Sequence, residues 1–171
     1  MNNIFKFGPH GETAWSKGFT LLLPLFAAYV ESEQDLEFIQ HNDDLSLTFW
    51  QRDRDAAKAR LVDALDKLQR LPLRTPEDRP FQRFTCLISR MIDRDEPMLP
   101  RQLHREMKAC FFNDYQVRGF GPIAQHRNAL LIQARHMVDA MIALPFFDYL
   151  PNDEFAPSEW EEAEGPLLVA I

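Results

Sequence analysis

Residues 78–94 read DRPFQRFTCLISRMIDR, and the period chosen for them decides the fold. At about 100° per residue, Phe81, Phe84, Ile88, Met91 and Ile92 gather on one side. Arg79, Arg83, Arg90 and Arg94 then fall within an arc of roughly 60°, nearly opposite. At the strand period of two, Arg79 and Arg83 share a face but Arg90 and Arg94 lie on the other. The helical reading separates apolar from charged residues. Asp78, with Pro80 just inside the start, is a familiar helix opening. The spacing therefore predicts a helix from 78 to about 92, and no acid interrupts it before Asp93.

The same period extends in both directions. Residues 53–71 carry a stripe of Ala57, Leu61, Ala64, Leu65 and Leu68, with Asp63–Lys67 and Asp66–Arg70 as acid-before-base pairs four apart, and Pro72 stops the helix. A helix from about 100 to 113 is expected to bury Leu103, Met107 and Cys110. Arg101, Arg105 and Lys108 share an arc of about 60° with Phe112 on its outer side. The turn RGFG (118–121) precedes Pro122, which opens the longest expected helix, 122–144. Ile123, Leu130, Leu131, Ala134, Val138, Met141 and Ile142 form its broad apolar face, which places it at the centre of a bundle.

Toward the start, Thr13 is placed to cap a helix from 14 to about 31 that is apolar on most sides through Trp15, Phe19, Leu22, Leu23 and Phe26. Pro24 is expected to kink or split it, because proline removes a ladder hydrogen bond. A short helix at 33–40 follows, then the turn HNDD (41–44). LSLTFW (45–50) alternates apolar and polar residues and reads as a short strand, with 4–7 and the terminal LLVAI as candidate partners. It could equally be the first turns of a helix capped by Asp44. The fold class is thus mainly α: a bundle of five or six helices with room for one small β element. A helical domain (1–150) carries an acidic, proline-interrupted extension (151–171).

Charge is segregated along the chain. Residues 52–135 hold 17 of the 19 Lys and Arg, including all 14 Arg, against 11 acids. Residues 1–51 hold two bases and seven acids, and residues 136–171 hold no base and eight acids. Arginine keeps its charge and offers a planar fork of donors to carboxylates, phosphates and aromatic faces. The two arcs, Arg79, Arg83, Arg90, Arg94 and then Arg101, Arg105, Lys108 with Phe112, form a basic binding face. It suits an acidic protein segment, or a nucleic-acid strand through phosphate pairing and base stacking. A solvated polar face is the plain alternative. In the extension, Phe155, Trp160, Glu161 and Glu162 make an acidic–aromatic binding segment of the kind used in short recognition motifs. Packing against the core is its plain alternative.

Several function classes find no footing. The longest uncharged run, residues 18–30, has 13 residues and contains Pro24, so it is too short to span a bilayer, and a buried helix is the better reading than a signal peptide. Two cysteines, Cys86 and Cys110, make no disulfide framework or metal ribbon, which suits a reduced cytoplasmic setting. Cys86 projects into the arginine arc, where cations would favour its thiolate, though a packing role is commoner. The five histidines are scattered, and His41 with Asp43 and Asp44 reads as a polar turn rather than a cation site. No metal or cofactor is called for. The RGFG turn resembles the opening of an RNA-recognition signature, but Pro122 breaks the strand that signature needs. Arg127-Asn128 resembles the start of the catalytic motif of the HEPN ribonucleases, but residues 132–134 lack its histidine. No glycine-rich phosphate loop, HExxH or GxSxG is present.

The function expected is that of a non-catalytic interaction or regulatory subunit in an intracellular multi-protein assembly. A nucleic-acid-binding helical protein is the alternative, and an enzyme of unrecognised type stands third.

Overall fold

The computed structural model describes residues 12–40, 47–93 and 98–147. They form five helices: α1 (Ala14–Gln40), α2 (Leu47–Gln69), α3 (Arg79–Ile92), α4 (Leu99–Asp114) and α5 (Pro122–Ile142), with 3₁₀ turns at Pro76–Asp78 and Pro145–Phe147. No strand occurs among the described residues, so the architecture is a helical bundle. Arg94, Phe155, Trp160, Glu161, Glu162, the HNDD turn and both candidate partner strands lie outside the described residues, as does the whole 151–171 extension.

The first turn of α1 shows why it starts where it does. The Ser16 N–H donates to Thr13 Oγ1 at 3.2 Å, and the Thr13 N–H donates back to Ser16 Oγ at 3.0 Å. This reciprocal pair satisfies two otherwise orphaned donors. From there α1 runs unbroken through Pro24 for 27 residues, taking in the segment expected as a separate helix at 33–40. The carbonyl that Pro24 leaves unbonded belongs to Thr20. Thr20, Leu21 and Pro24 are all exposed, so water can serve it and the helix need not break. One buried stripe on α1 carries Trp15, Phe19, Leu22, Phe26 and Tyr29.

LSLTFW is also corrected. Residues 47–50 are the first turn of α2, so the strand reading fails for them. Alternation over a few residues fits either period, and Trp50 and Ala57 lie on the helical continuation toward Leu61, Leu65 and Leu68. α1 and α2 pack as an antiparallel hairpin, close enough at Gly18 that a Cβ there would come within 2.5 Å of Leu68 Cδ2. Only glycine admits that approach without a shift of Leu68.

α3, not α5, is the helix that packs on each of the other four. Its expected core face is buried throughout, joined by Pro80, Thr85 and Leu87. Phe84 sits among Phe19, Phe111 and Tyr115, with ring centroids 6.1, 6.4 and 5.3 Å away and edge-to-face angles near 80°. α5 packs on α1, α3 and α4 and buries Leu130, Leu131, Ala134, Val138 and Met141. Ile123, expected in that face, is 47% exposed, as part of a first turn in which Pro122, Gln125 and His126 are exposed too. On α4 the buried side chain near the C-terminus is Phe111, and Cys110 is only half-buried.

Asp78 departs most from expectation. It makes no capping hydrogen bond at the start of α3. Its side chain is instead fully buried, and the Thr13 hydroxyl donates to its Oδ1 at 2.6 Å. The Trp15 indole N–H donates to the Pro72 carbonyl at 3.3 Å beside it. Together these bonds tie the beginning of α1 to the connection between α2 and α3.

Candidate functional site

α3 presents Arg79, Arg83 and Arg90 to solvent, all on the side away from the core. The C-terminal turn of α4 and the loop behind it rise beside this row and make two adjoining clefts. The first, about 350 Å³, lies between Arg83, Cys86 and Arg90 on α3 and Glu106, Asp114 and Tyr115 opposite, with Leu87 and Leu103 supplying apolar lining. The second, about 380 Å³, continues past Arg83 to Arg79 and is closed by Glu77, Asn113 and Arg118. Arg83 and Asp114 line both clefts.

The shared wall is an ion pair. Arg83 Nη1 donates to Asp114 Oδ1 at 2.9 Å and also to the Asp114 carbonyl at 3.4 Å, with both side chains about half exposed. The pair is therefore well solvated and worth at most about 1 kcal/mol. It does fix where Arg83 stands. Glu106 is engaged by the Gln102 amide at 2.9 Å. Arg79, Arg90 and Arg118 make no ion pair among the described residues, so three cations remain available along the two clefts. Tyr115 is stacked on Phe111 at 6.2 Å and half-buried. Burial, then the Asp114 carboxylate, push its phenol above the ordinary value near 10, against the pull of Arg83. At neutral pH it is a neutral hydroxyl at the end of an apolar patch.

The second basic arc does not join the first. Arg105 and Lys108 are exposed on α4, and Phe112 beside them is 71% exposed, but none of the three lines either cleft. Arg101, expected on the same face, is half-buried with its Nε enclosed. The helical projection explains the separation. Leu103 and Glu106 turn toward α3, whereas Arg105, Lys108 and Phe112 point more than a quarter-turn away.

Several contributors gave no local signal in the sequence. Asp114 meets Arg83 across 31 positions, a distance that helical spacing does not reach. Arg118 lines the second cleft from the loop after α4, and the next residue, Gly119, adopts a φ of +133°, open to glycine and strained for other residues. Asn128 binds the Val117 backbone twice, accepting from its N–H at 2.7 Å and donating to its carbonyl at 3.0 Å. That accounts for Arg127-Asn128 as architecture: Asn128 pins the loop and Arg127 is buried. On the far side of α4, His104 Nε2 lies 2.7 Å from Asp139 Oδ1, and the Arg135 guanidinium sits 4.8 Å from the centre of the Phe111 ring.

Among the described residues no group of three or more His, Cys, Asp or Glu side chains is placed to hold a metal ion. No helix among them is long and apolar enough to cross a membrane. Comparison with protein-family models, curated proteins and solved structures finds no match for this chain.

Proposed function

We propose that this protein is a non-catalytic interaction or regulatory subunit of an intracellular, cytoplasmic multi-protein assembly, and that the clefts beside α3 receive an acidic, apolar-anchored segment of a partner protein. One observation carries the reading. Arg79, Arg90 and Arg118 are cations without ion-pair partners among the described residues, spread along clefts whose lining includes Leu87, Leu103 and Tyr115. Cations beside an apolar patch favour a ligand with carboxylates and a large side chain together, which is how short peptide segments are recognised. The planar guanidinium fork adds geometric selection for carboxylates.

The test is affinity capture by the full chain from its native host, with and without nuclease. A defined partner set should survive nuclease and disappear with Arg79→Glu/Arg90→Glu, while the thermal melt of the variant stays close to the parent. Capture that is unchanged by the double replacement would refute the role given to the clefts.

Nucleic-acid binding is supported by a different feature, the exposed Phe112 ring between the exposed Arg105 and Lys108 on α4. Bases stack on such rings while the cations meet phosphates. This reading expects single-stranded RNA or DNA to bind with an affinity that falls steeply with salt and is lost in Phe112→Ala. Fluorescence anisotropy showing no binding at low salt would remove it.

A further inference from the structure

The chain's charge is strongly uneven along its length. The described residues hold 17 Lys and Arg against 15 Asp and Glu, a net of +2, whereas residues 148–171 hold seven acids and no base. Arg79, Arg90 and Arg118, without ion-pair partners among the described residues, thus share a chain with a strongly anionic segment that includes the aromatic residues Phe155 and Trp160. We propose that the two clefts beside α3 are the receptor for this acidic–aromatic segment of the same chain, which docks there in the isolated protein. This docking is independent of the function proposed above.

Geometry permits the docking. His104 faces Asp139 while Arg135 lies over Phe111, so α4 and α5 run antiparallel, and the turn that follows α5 at Pro145–Phe147 lies toward the N-terminal end of α4. Leu103, one boundary of the first cleft, is at that same end. From Arg90 to Arg79 the row is eleven residues of helix, about 17 Å long, which roughly five or six extended residues can cover. The 24 residues after Phe147 reach up to about 80 Å, several times what is needed to cross α4 and run along the row. A tether of that length holds the segment at an effective concentration of order millimolar. A peptide affinity of only about 0.1 mM would then keep the clefts about nine-tenths filled.

Cys86 is an internal reporter, because it is exposed on α3 and lines the first cleft, whereas Cys110 is half-buried on α4 and lines neither. In the full chain, alkylation of each thiol by neutral N-ethylmaleimide is followed by mass spectrometry. Replacing Asp153→Asn, Glu154→Gln, Glu159→Gln, Glu161→Gln and Glu162→Gln together should speed alkylation of Cys86 about tenfold and leave Cys110 unchanged. High salt should bring the parent up to the variant's rate by screening. A synthetic peptide of residues 151–171 should restore protection in the amide variant, but not once Arg79→Glu/Arg90→Glu is added. Protection in the parent should be independent of protein concentration. Rates within twofold in parent and amide variant would overturn the proposal, as would protection that grows with concentration, which means exchange between copies. Loss of a captured partner in Arg79→Glu/Arg90→Glu with equal Cys86 rates in parent and amide variant sinks this inference alone. Intact protection of Cys86 with no nuclease-resistant partner supports it and sinks the assembly reading alone.

Discussion

α3 and α4 carry the same sequence device, basic side chains confined to about 60° of a helix, and the fold treats them differently. On α3 the row stands beside a wall made by Glu106, Asp114 and Tyr115, with Arg118 closing the far end, so separate charges become the edge of two clefts. On α4, Arg105, Lys108 and Phe112 lie outside both clefts on the outer surface. A stripe becomes a site when a neighbouring element gives it depth, because enclosure removes water and lets apolar contact add to charge. Periodicity finds the stripe, but only packing supplies the wall.

The largest way to break this contrast is from beneath. Phe84 holds α3 against both Phe111 and Tyr115. Phe84→Ala should cost about 3–5 kcal/mol, and for a domain of this size lower the melting temperature by about ten degrees or more. A melt within two or three degrees of the parent would mean that the wall does not depend on this aromatic contact. The contrast itself is tested by paired charge reversals. Arg79→Glu/Arg90→Glu should reduce recovery of a protein partner at least about tenfold, equivalent to about 1.4 kcal/mol. Arg105→Glu/Lys108→Glu should change it less than about twofold, with both variants within roughly 0.5 kcal/mol of parent stability. Equal losses from the two pairs would show that field rather than cleft controls binding.

Smaller effects sharpen the picture. Asp114→Asn removes the solvated pair with Arg83 and should cost less than about 1 kcal/mol in a denaturant titration. It releases another cation into both clefts, so an acidic peptide should bind a few-fold tighter by anisotropy; weaker binding would mean that Asp114 positions Arg83 for the ligand. The smallest effect concerns Tyr115. Its phenol is held above the usual value near 10, so the folded state favours the protonated form. That contribution is fully present below about pH 10 and is lost as pH rises through the higher folded value. Stability should therefore fall more steeply above pH 10 in the parent than in Tyr115→Phe. Parallel alkaline limbs would show that the phenol is not buried in solution.

The helices with one clean apolar face are legible in the sequence: α3 in full, the stripe of α2 from Ala57 to Leu68, and most of α5. Errors came where two periods fit, or where a local rule met a distant partner. LSLTFW is too short for alternation to exclude a helix, and the ladder bond that Pro24 removes need not break α1, because Thr20, whose carbonyl it frees, is exposed to water. Asp78 stands where a cap belongs, but Thr13, 65 positions away, claims it. At the site, Arg79, Arg83 and Arg90 were readable as a row. Asp114, Tyr115 and Arg118 were not, since Asp114 and Tyr115 reach α3 only through the packing of α4 against it, and Arg118 lies in the loop that Asn128 pins at Val117.

The Thr13–Ser16–Asp78 arrangement has a consequence for how the molecule breathes. A helix's first turn normally frays, and its amides exchange with solvent through small openings that leave the rest intact. Here the hydroxyl that caps α1 is itself bonded to a buried carboxylate at the start of α3. Opening the first turn of α1 therefore strands Asp78 in an apolar surrounding unless the beginning of α3 opens with it. Amides around residues 16–18 and 79–82 should accordingly share one exchange free energy, close to that of the core. Thr13→Val would remove the bond that couples them and leave Asp78 without its donor, so both sets of amides should exchange faster than in the parent and no longer at one common value.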